Sequence, residues 1–273
     1  MINPPSDTQP AWCPGCGNFL ILKVFDEAVA EAGLDRRRLV LVSGIGQAAK
    51  FPHYTQANVF NGLHGRALPA ATGIKLANHD LEVVVTSGDG DMYGEGGNHL
   101  LHTFRRNIGV KCFVHNNQVY GLTKGQASPT SDLGFVTKVQ TRGVALEPVR
   151  PLALAILEGC SLVMRSFSGD RDHLRAMMVA AFKHTGGTVL LDILQPCVTF
   201  NRVNTFRWYK ERVQPVGEAH DPTDFDAAMK LAMQWGDAIP VGVIYRSGRP
   251  SFESQQPVLE KGTLVGQFEK AAG

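Results

Sequence analysis

The feature that most narrows the fold is a set of short apolar runs, most of them ending in glycines or a polar turn. They are RLVLVSGIG (38–46), LEVVVTSGDGD (81–91), VKCFVHNN (110–117), SLVMRSF (161–167) and TVLLDIL (188–194). The runs are nearly continuous in apolar residues rather than alternating. Strands of that kind are covered on both faces, as in a parallel sheet. Helix-like stretches separate them. Residues 18–32 close on Gly33, residues 96–107 put Leu100, Leu101 and Phe104 near one face, and residues 170–187 open on Asp170 and end in two glycines. The alternation predicts an α/β fold, a doubly wound, mostly parallel sheet with helices on both faces. In such sheets ligands bind beyond the carboxyl ends of the strands. The loops GIGQAAK, SGDGDMYGEGG and HNNQVYGLTKG all follow strands.

A chain of 273 residues can bury one large core or split into two small domains. Apolar residues make up 44% and charged residues 19%, the balance of a well-buried globular protein. A net charge of +2 gives no reason to expect a nucleic-acid partner or an anionic membrane. No apolar run is long enough to span a bilayer, and MINPPSDTQPAW lacks the pattern of a secretory leader. The expectation is a cytoplasmic protein. Five cysteines, an odd number, argue against a disulfide framework. From about residue 205 the texture turns polar and aromatic, followed by a short helix (223–235) and the run PVGVIYRS (240–247). The chain is thereby divided into a tail (1–12), a main α/β domain (13–205) and a C-terminal extension (206–273) that packs on that domain or on a partner.

Chemistry concentrates in two places. In the first, Gly88-Asp89-Gly90 follows a buried strand, and Asn117 comes 28 residues after Asp89 at the end of the next strand. One helical crossover returns the chain to the same sheet edge. An Asp carboxylate, an Asn amide oxygen and a main-chain carbonyl suit Mg²⁺, which commonly holds phosphates through oxygen ligands. Glycines let the backbone approach a diphosphate, and the following helix N-terminus favours an anion. GDG alone reads better as a tight turn; the paired motif at matched strand ends reverses that judgement. Neither a Walker loop nor a strand-following G-x-G-x-x-G is present. The second place is AWCPGCGN (11–18), where Cys13 and Cys16 stand two residues apart. Such a pair can hold a metal or an iron–sulfur cluster, or act as a dithiol. Zinc would want a second CxxC or a close histidine pair, and a thioredoxin-like dithiol would want a preceding strand; neither is present.

GDG followed by roughly 25 residues and an Asn pair resembles the thiamine diphosphate signature. With it, CPGCGN, GIGQAAKFPHY, LHGRALPAATGIKLAN, GGNHLLHTFRRN, NNQVYGLTKGQASPT, SFSGD and QPCVTFN occur in order over about residues 10–205. Together they resemble the β subunit of 2-oxoacid:ferredoxin oxidoreductases, best the 2-oxoglutarate and broad 2-oxoacid enzymes. The resemblance implies a thiamine diphosphate-binding fold. It implies a reaction in which a 2-oxoacid, CoA and oxidised ferredoxin give acyl-CoA, CO₂ and reduced ferredoxin. Mg²⁺ would take Asp89, Asn117 and the carbonyl of Val119, with Asp91 behind it or beside the diphosphate. Gly44, Ile45, Gly46, Gly88, Gly90, Gly121, Leu122 and Thr123 would join the cofactor site. His64 and Arg66 would face the thiamine and substrate region, and Lys50 the substrate carboxylate. By residue type alone His64 and Arg66 suit a site role and a loop or surface role equally, the motif context lifting His64, while a lone lysine such as Lys50 reads as a solvated surface group. The aminopyrimidine half of the site, with its activating glutamate, belongs to the α subunit, so the chain is expected to be inactive alone.

A [4Fe–4S] cluster normally takes four thiolates. Cys13 and Cys16 supply two, and Cys197 in QPCVTFN matches a third family ligand. The fourth lies in a GIGC stretch, where this chain reads Gly44-Ile45-Gly46-Gln47. Cys112 and Cys160 read as small buried residues in or near strands. The cluster would close on an unusual fourth ligand, form with three irons, or be absent. A non-oxidative thiamine-dependent lyase is the second reading, disfavoured because such an enzyme needs no electron exit. A non-catalytic scaffold is the third, disfavoured by the intact Asp89/Asn117 pair.

Overall fold

The computed structural model describes residues 9–272, so the first eight residues of the expected tail and Gly273 lie outside it. Ten strands are described: β1 (Leu39–Ser43), β2 (Asn58–Asn61), β3 (Glu82–Gly88), β4 (Val110–Asn116), β5 (Val119–Tyr120), β6 (Gln126–Ala127), β7 (Leu162–Phe167), β8 (Val189–Leu194), β9 (Val213–Pro215) and β10 (Ile239–Arg246). The helices are α1 (Gly17–Glu31), α2 (Ala67–Ala77), α3 (Gly97–Arg106), α4 (Pro151–Leu157), α5 (Arg171–Lys183), α6 (Phe206–Lys210), α7 (Phe225–Met233) and α8 (Leu264–Ala272). Eight strands form one sheet in the order β2-β1-β3-β4-β8-β7-β10-β9, and β5 and β6 form a small hairpin beside it. From β2 to β7 every pairing is parallel; β10 runs antiparallel to β7, and β9 is parallel to β10. Among the described residues no helix is long and apolar enough to cross a membrane.

The apolar runs become strands because successive residues serve opposite faces. In β1, Val40 and Val42 pack into one core layer, and Leu39 and Leu41 into the other. Residues of α2, α3, α4 and α7 cover the first face, and residues of α1 and α5 the second. Phe25 of α1 centres the second layer, fully buried, with ring centroids 5.1 Å from Phe51, 6.3 Å from Phe113 and 5.8 Å from Phe182. Ion pairs Arg171–Glu27 and Arg175–Glu31 tie α5 to α1 at the surface.

Eight elements escaped the sequence reading: β2, α2, β5, β6, α4, α6, β9 and α8. The edge strand β2 is short and half exposed, with Phe60 facing out. Helix α2, ALPAATGIKLA, carries Pro69 and Gly73, which mask its signal. Pro69 stands in the first turn, where its missing N–H goes unused. Helix α4 is only seven residues and starts on Pro151. The segment after residue 205 extends the main sheet: β10 pairs with β7, and β9 lies at its outer edge.

Phe25→Ala removes the central ring of the second layer. Its cost, about 3–5 kcal/mol for a fully buried Phe, should appear as a large fall in the unfolding midpoint of the purified subunit. A midpoint within error of the wild type would contradict this packing.

Candidate active site

The loops after β1, β3, β4 and β8 all leave the carboxyl edge of the sheet. Between the first three opens a cleft of about 430 Å³, whose floor includes Gly88, Asp89 and Gly90. Ile45, Gly46, His64, Asp91, Asn117, Val119, Gly121, Leu122 and Thr123 also line it. The structure thus brings together nearly all the residues singled out for a cofactor. Gly44 stands apart from the cleft wall, packed against the Asp91 carboxylate. Lys50 and Arg66 do not line the cleft either. The Lys50 ammonium donates to the Ala11 carbonyl at 3.3 Å, and the Arg66 guanidinium lies 2.7 Å from Nε2 of His99.

Asp89 is 1% exposed. Its Oδ2 accepts from the hydroxyls of Ser128 (2.5 Å) and Thr130 (2.7 Å), and its Oδ1 from the Asn117 N–H (3.3 Å). Burial pushes its carboxyl up to about 6, and these donors pull it only partly back. No basic group is among the influences on it. A buried carboxylate short of positive charge is what a divalent cation stabilises. Asn117 donates from Nδ2 to Gln195 Oε1 at 3.2 Å, and its Oδ1 accepts from the Val119 N–H at 3.0 Å. Between them Gln118 takes φ +60°, unusual for a residue with a side chain. Three contacts hold it there: Nε2 donates to the Thr130 carbonyl (2.7 Å) and to Asp132 (3.3 Å), and Oε1 accepts from the Tyr209 hydroxyl (2.8 Å).

After Asp89 the chain winds through one wide π-helical turn, Gly90–Glu95, before α3 begins. The Tyr120 ring lies across it. A Cβ on Gly90 would stand 2.3 Å from Tyr120 Cε1, so only glycine fits. Tyr120, Glu95, Gln47, Ala48, Gln126 and Ala127 line the cleft and were missed by sequence reasoning. They stand within the motif stretches, Gln47 there as the residue in place of a fourth cysteine, but nothing in the pattern marks them as cleft lining; only the folded loops place them.

A second cavity adjoins the first. Trp12, Cys13, Cys16, Cys197 and Phe200 line it, and Gln47, Asn117 and Gly121 belong to both walls. The CxxC pair opens α1, with Cys16 as N-cap. Gly17 lets this turn press on the end of β8, since a Cβ there would stand 2.8 Å from Gln195 Cγ. Gln195 Nε2 donates to the Cys16 sulfur at 3.3 Å, and the Phe200 N–H to the Cys197 sulfur at 3.4 Å. Burial raises the Cys16 thiol to about 11, with smaller contributions from Cys197 and Cys13. Cys112 and Cys160 are fully buried elsewhere. Among the described residues no three His, Cys, Asp or Glu side chains sit close enough to hold a single metal ion. A cluster spreads its thiolates around a cube, farther apart than the ligands of one ion, and the proposed magnesium set contains a single carboxylate.

A parallel sheet that gathers a GDG loop and an asparagine pair at its carboxyl edge, with three thiols beside them, defines a thiamine diphosphate-binding subunit of an oxidoreductase. Residues 44–193 match the family described as thiamine pyrophosphate enzyme, C-terminal TPP binding domain. Residues 197–261 match the family that describes the C terminal of the pyruvate ferredoxin oxidoreductase beta subunit. The chain is 45% identical over 249 residues to the 2-oxoacid:ferredoxin oxidoreductase subunit beta of Saccharolobus solfataricus, covering 86% of this chain and 81% of the relative. It is 45% identical over 196 residues to the 2-oxoglutarate oxidoreductase subunit KorB of Mycobacterium tuberculosis, 72% of this chain and 52% of that one. Among solved structures, 2-oxoglutarate:ferredoxin oxidoreductase from Magnetococcus marinus, with 2-oxoglutarate, coenzyme A and succinyl-CoA bound, superposes with a TM-score of 0.90 at 34% identity. That match covers 98% of this chain and 94% of the other. The chain belongs to the β subunits of the 2-oxoacid:ferredoxin oxidoreductases. A β subunit implies an α subunit as its partner.

Gly90→Ala forces its methyl into the Tyr120 ring, an overpacking worth about 1–3 kcal/mol. The variant complex should bind thiamine diphosphate more weakly by isothermal titration. Unchanged affinity would show that the backbone at Gly90 need not approach either the ring or the cofactor.

Proposed function

We propose that this chain, with its α subunit, carries out CoA-dependent oxidative decarboxylation of a 2-oxoacid, with 2-oxoglutarate the preferred substrate and ferredoxin the electron acceptor. The observation that carries this reading is the shared wall between the cofactor cleft and the three-cysteine cavity. Bound thiamine diphosphate supplies the carbanion chemistry that cleaves a 2-oxoacid, and a bound iron–sulfur cluster supplies one-electron steps.

The chain's own residues hold and orient these groups. The Asp89 carboxylate, the Asn117 amide oxygen and the Val119 carbonyl would hold Mg²⁺ against the diphosphate, an oxygen set suited to that hard cation. Ser128 and Thr130 fix the carboxylate from behind. Gly88 and Gly90 admit the diphosphate, and Gly121, Leu122 and Thr123 cover it from the hairpin side. Ile45, Gly46 and His64 form the facing wall, His64 toward the substrate. Asp91 orients that wall through the Ile45 N–H, while Lys50 and Arg66 stay at its margin for the α subunit to complete. Cys13, Cys16 and Cys197 would hold the cluster. Substrate 2-oxoglutarate follows from the relatives named for it. Ferredoxin as the acceptor supports a cytoplasmic location for the complex.

Purified αβ complex assayed with 2-oxoglutarate, pyruvate and branched 2-oxoacids should show the highest kcat/KM for 2-oxoglutarate, strictly dependent on CoA and an electron acceptor. CO₂ release without an acceptor would favour a lyase instead. Asp89→Ala should abolish thiamine diphosphate retention. Thr130→Val, which loosens the carboxylate but keeps it, should cost about 10–100-fold in Mg²⁺ affinity. Full activity in Asp89→Ala would refute the metal assignment.

A further inference from the structure

Gln47 stands where the two cavities meet and lines both. Its backbone carbonyl accepts from the Trp12 indole N–H at 2.8 Å, which ties it to the segment that carries the CxxC pair. Its side-chain Oε1 is buried and has no hydrogen-bond partner. A buried acceptor left alone is costly, and native structures seldom leave one unpaired. The other polar groups on the cysteine-cavity wall do not answer it. Asn117 is engaged with Gln195, and Gln195 in turn with Cys16. Beside the Gln47 amide the wall offers three thiols and the Thr199 hydroxyl, Asn18 being engaged with His115.

We propose that a four-iron cluster in this chain takes three thiolates, from Cys13, Cys16 and Cys197, and presents its fourth iron to Oε1 of Gln47. The iron nearest the cofactor cleft then carries a neutral oxygen donor. This rests on the reading above that a cluster occupies the cysteine cavity. Two properties follow. Replacing a thiolate by a neutral amide removes one negative charge, which favours the reduced cluster and raises its potential. An amide oxygen is also a weaker ligand for iron than thiolate, so the fourth iron is labile. With ferricyanide as oxidant, the four-iron cluster in its 2+ state yields one electron to ferricyanide and Fe²⁺ to solution. A three-iron cluster in the 1+ state remains on its three thiolates.

The test uses anaerobically purified αβ complex as wild type, Gln47→Cys and Gln47→Ala. Iron and sulfide content, EPR before and after ferricyanide, and a redox titration are measured on each. Wild type should lose a single iron per cluster, gain the three-iron EPR signal, and recover the four-iron form when Fe²⁺ and reductant are returned. Gln47→Cys should resist the loss and titrate at a more negative potential. Gln47→Ala should lose the iron faster than wild type. A wild-type cluster that keeps all its iron and matches Gln47→Cys in potential would overturn the proposal while leaving the proposed function intact. Equal rates of iron loss in wild type and Gln47→Ala would remove the ligand role of Oε1. A complex that turns over with neither iron nor sulfide would overturn the cluster itself, and this proposal with it.

Discussion

The carboxylate of Asp91 is the tie on which the cleft depends. Its Oδ1 accepts from the backbone N–H of Ile45 (3.1 Å) and of Gly65 (2.8 Å), and its Oδ2 from the Ser87 hydroxyl (2.6 Å). Ile45 follows β1, Gly65 precedes α2, and Ser87 is the penultimate residue of β3, so one buried carboxylate draws three chain segments to one point. Hydrogen bonds to an ionised acceptor are among the stronger ones, and these are nearly dry. The arrangement also explains why Gly44 faces away from the cleft. A side chain there would occupy the carboxylate's own space.

Behind Asp89 runs a second buried network. The Thr130 hydroxyl bridges Asp89 and the side-chain oxygen of Asn116 (2.9 Å), and Asn116 Nδ2 donates to Asp192 at 3.0 Å. Asp192 also accepts from the Tyr93 hydroxyl (3.0 Å) and pairs with Arg165 at 2.9 Å, both partners of the pair buried. Arg165 lies over the Trp235 ring, 5.4 Å from its centroid, and the Trp235 indole N–H donates to Asp132. A buried ion pair is weak evidence for stability, since desolvation offsets its attraction. Its consequence here is positional: β8, β7 and β4 are held in register directly beneath the paired asparagines. Tyr209 and Trp235 come from the segment after residue 205. That segment therefore bears the strain at Gln118 as well as widening the sheet.

The sequence carried the strands well because both-face burial writes itself as continuous apolar character, as in VVV of β3. It carried the membership of the cleft through motifs anchored at strand ends, where topology leaves little freedom. Asp89, Asn117 and Cys197 follow β3, β4 and β8, three neighbouring parallel strands, so their loops had to meet. What it could not carry was any contact made across loops. Tyr120 reads as one aromatic in NNQVYG, yet its ring against Gly90 shapes the cleft. Lys50 and Arg66 show the converse: their residue types suited an anion, but their side chains turn to Ala11 and His99. Helix α2 was hidden by a proline that is harmless only because of its place in the first turn.

Burial disfavours an anion in both cavities, and what offsets it in each follows from the walls. Asp89 is buried, and the hydroxyl and amide donors around it offset only part of the cost of its anion. Cys16 is buried with only a side-chain amide and a backbone N–H to support its thiolate, and burial raises it in the same direction, to about 11. Metal ligation requires the thiolate, so the iron of the proposed cluster would supply the charge that this wall withholds. Gln47 belongs to both walls and is neutral. A thiolate at its position would add negative charge beside the Asp89 site and raise the cost of every anion bound there. In the proposed cluster an amide would spare the diphosphate side that repulsion, at the expense of a firmly held fourth iron.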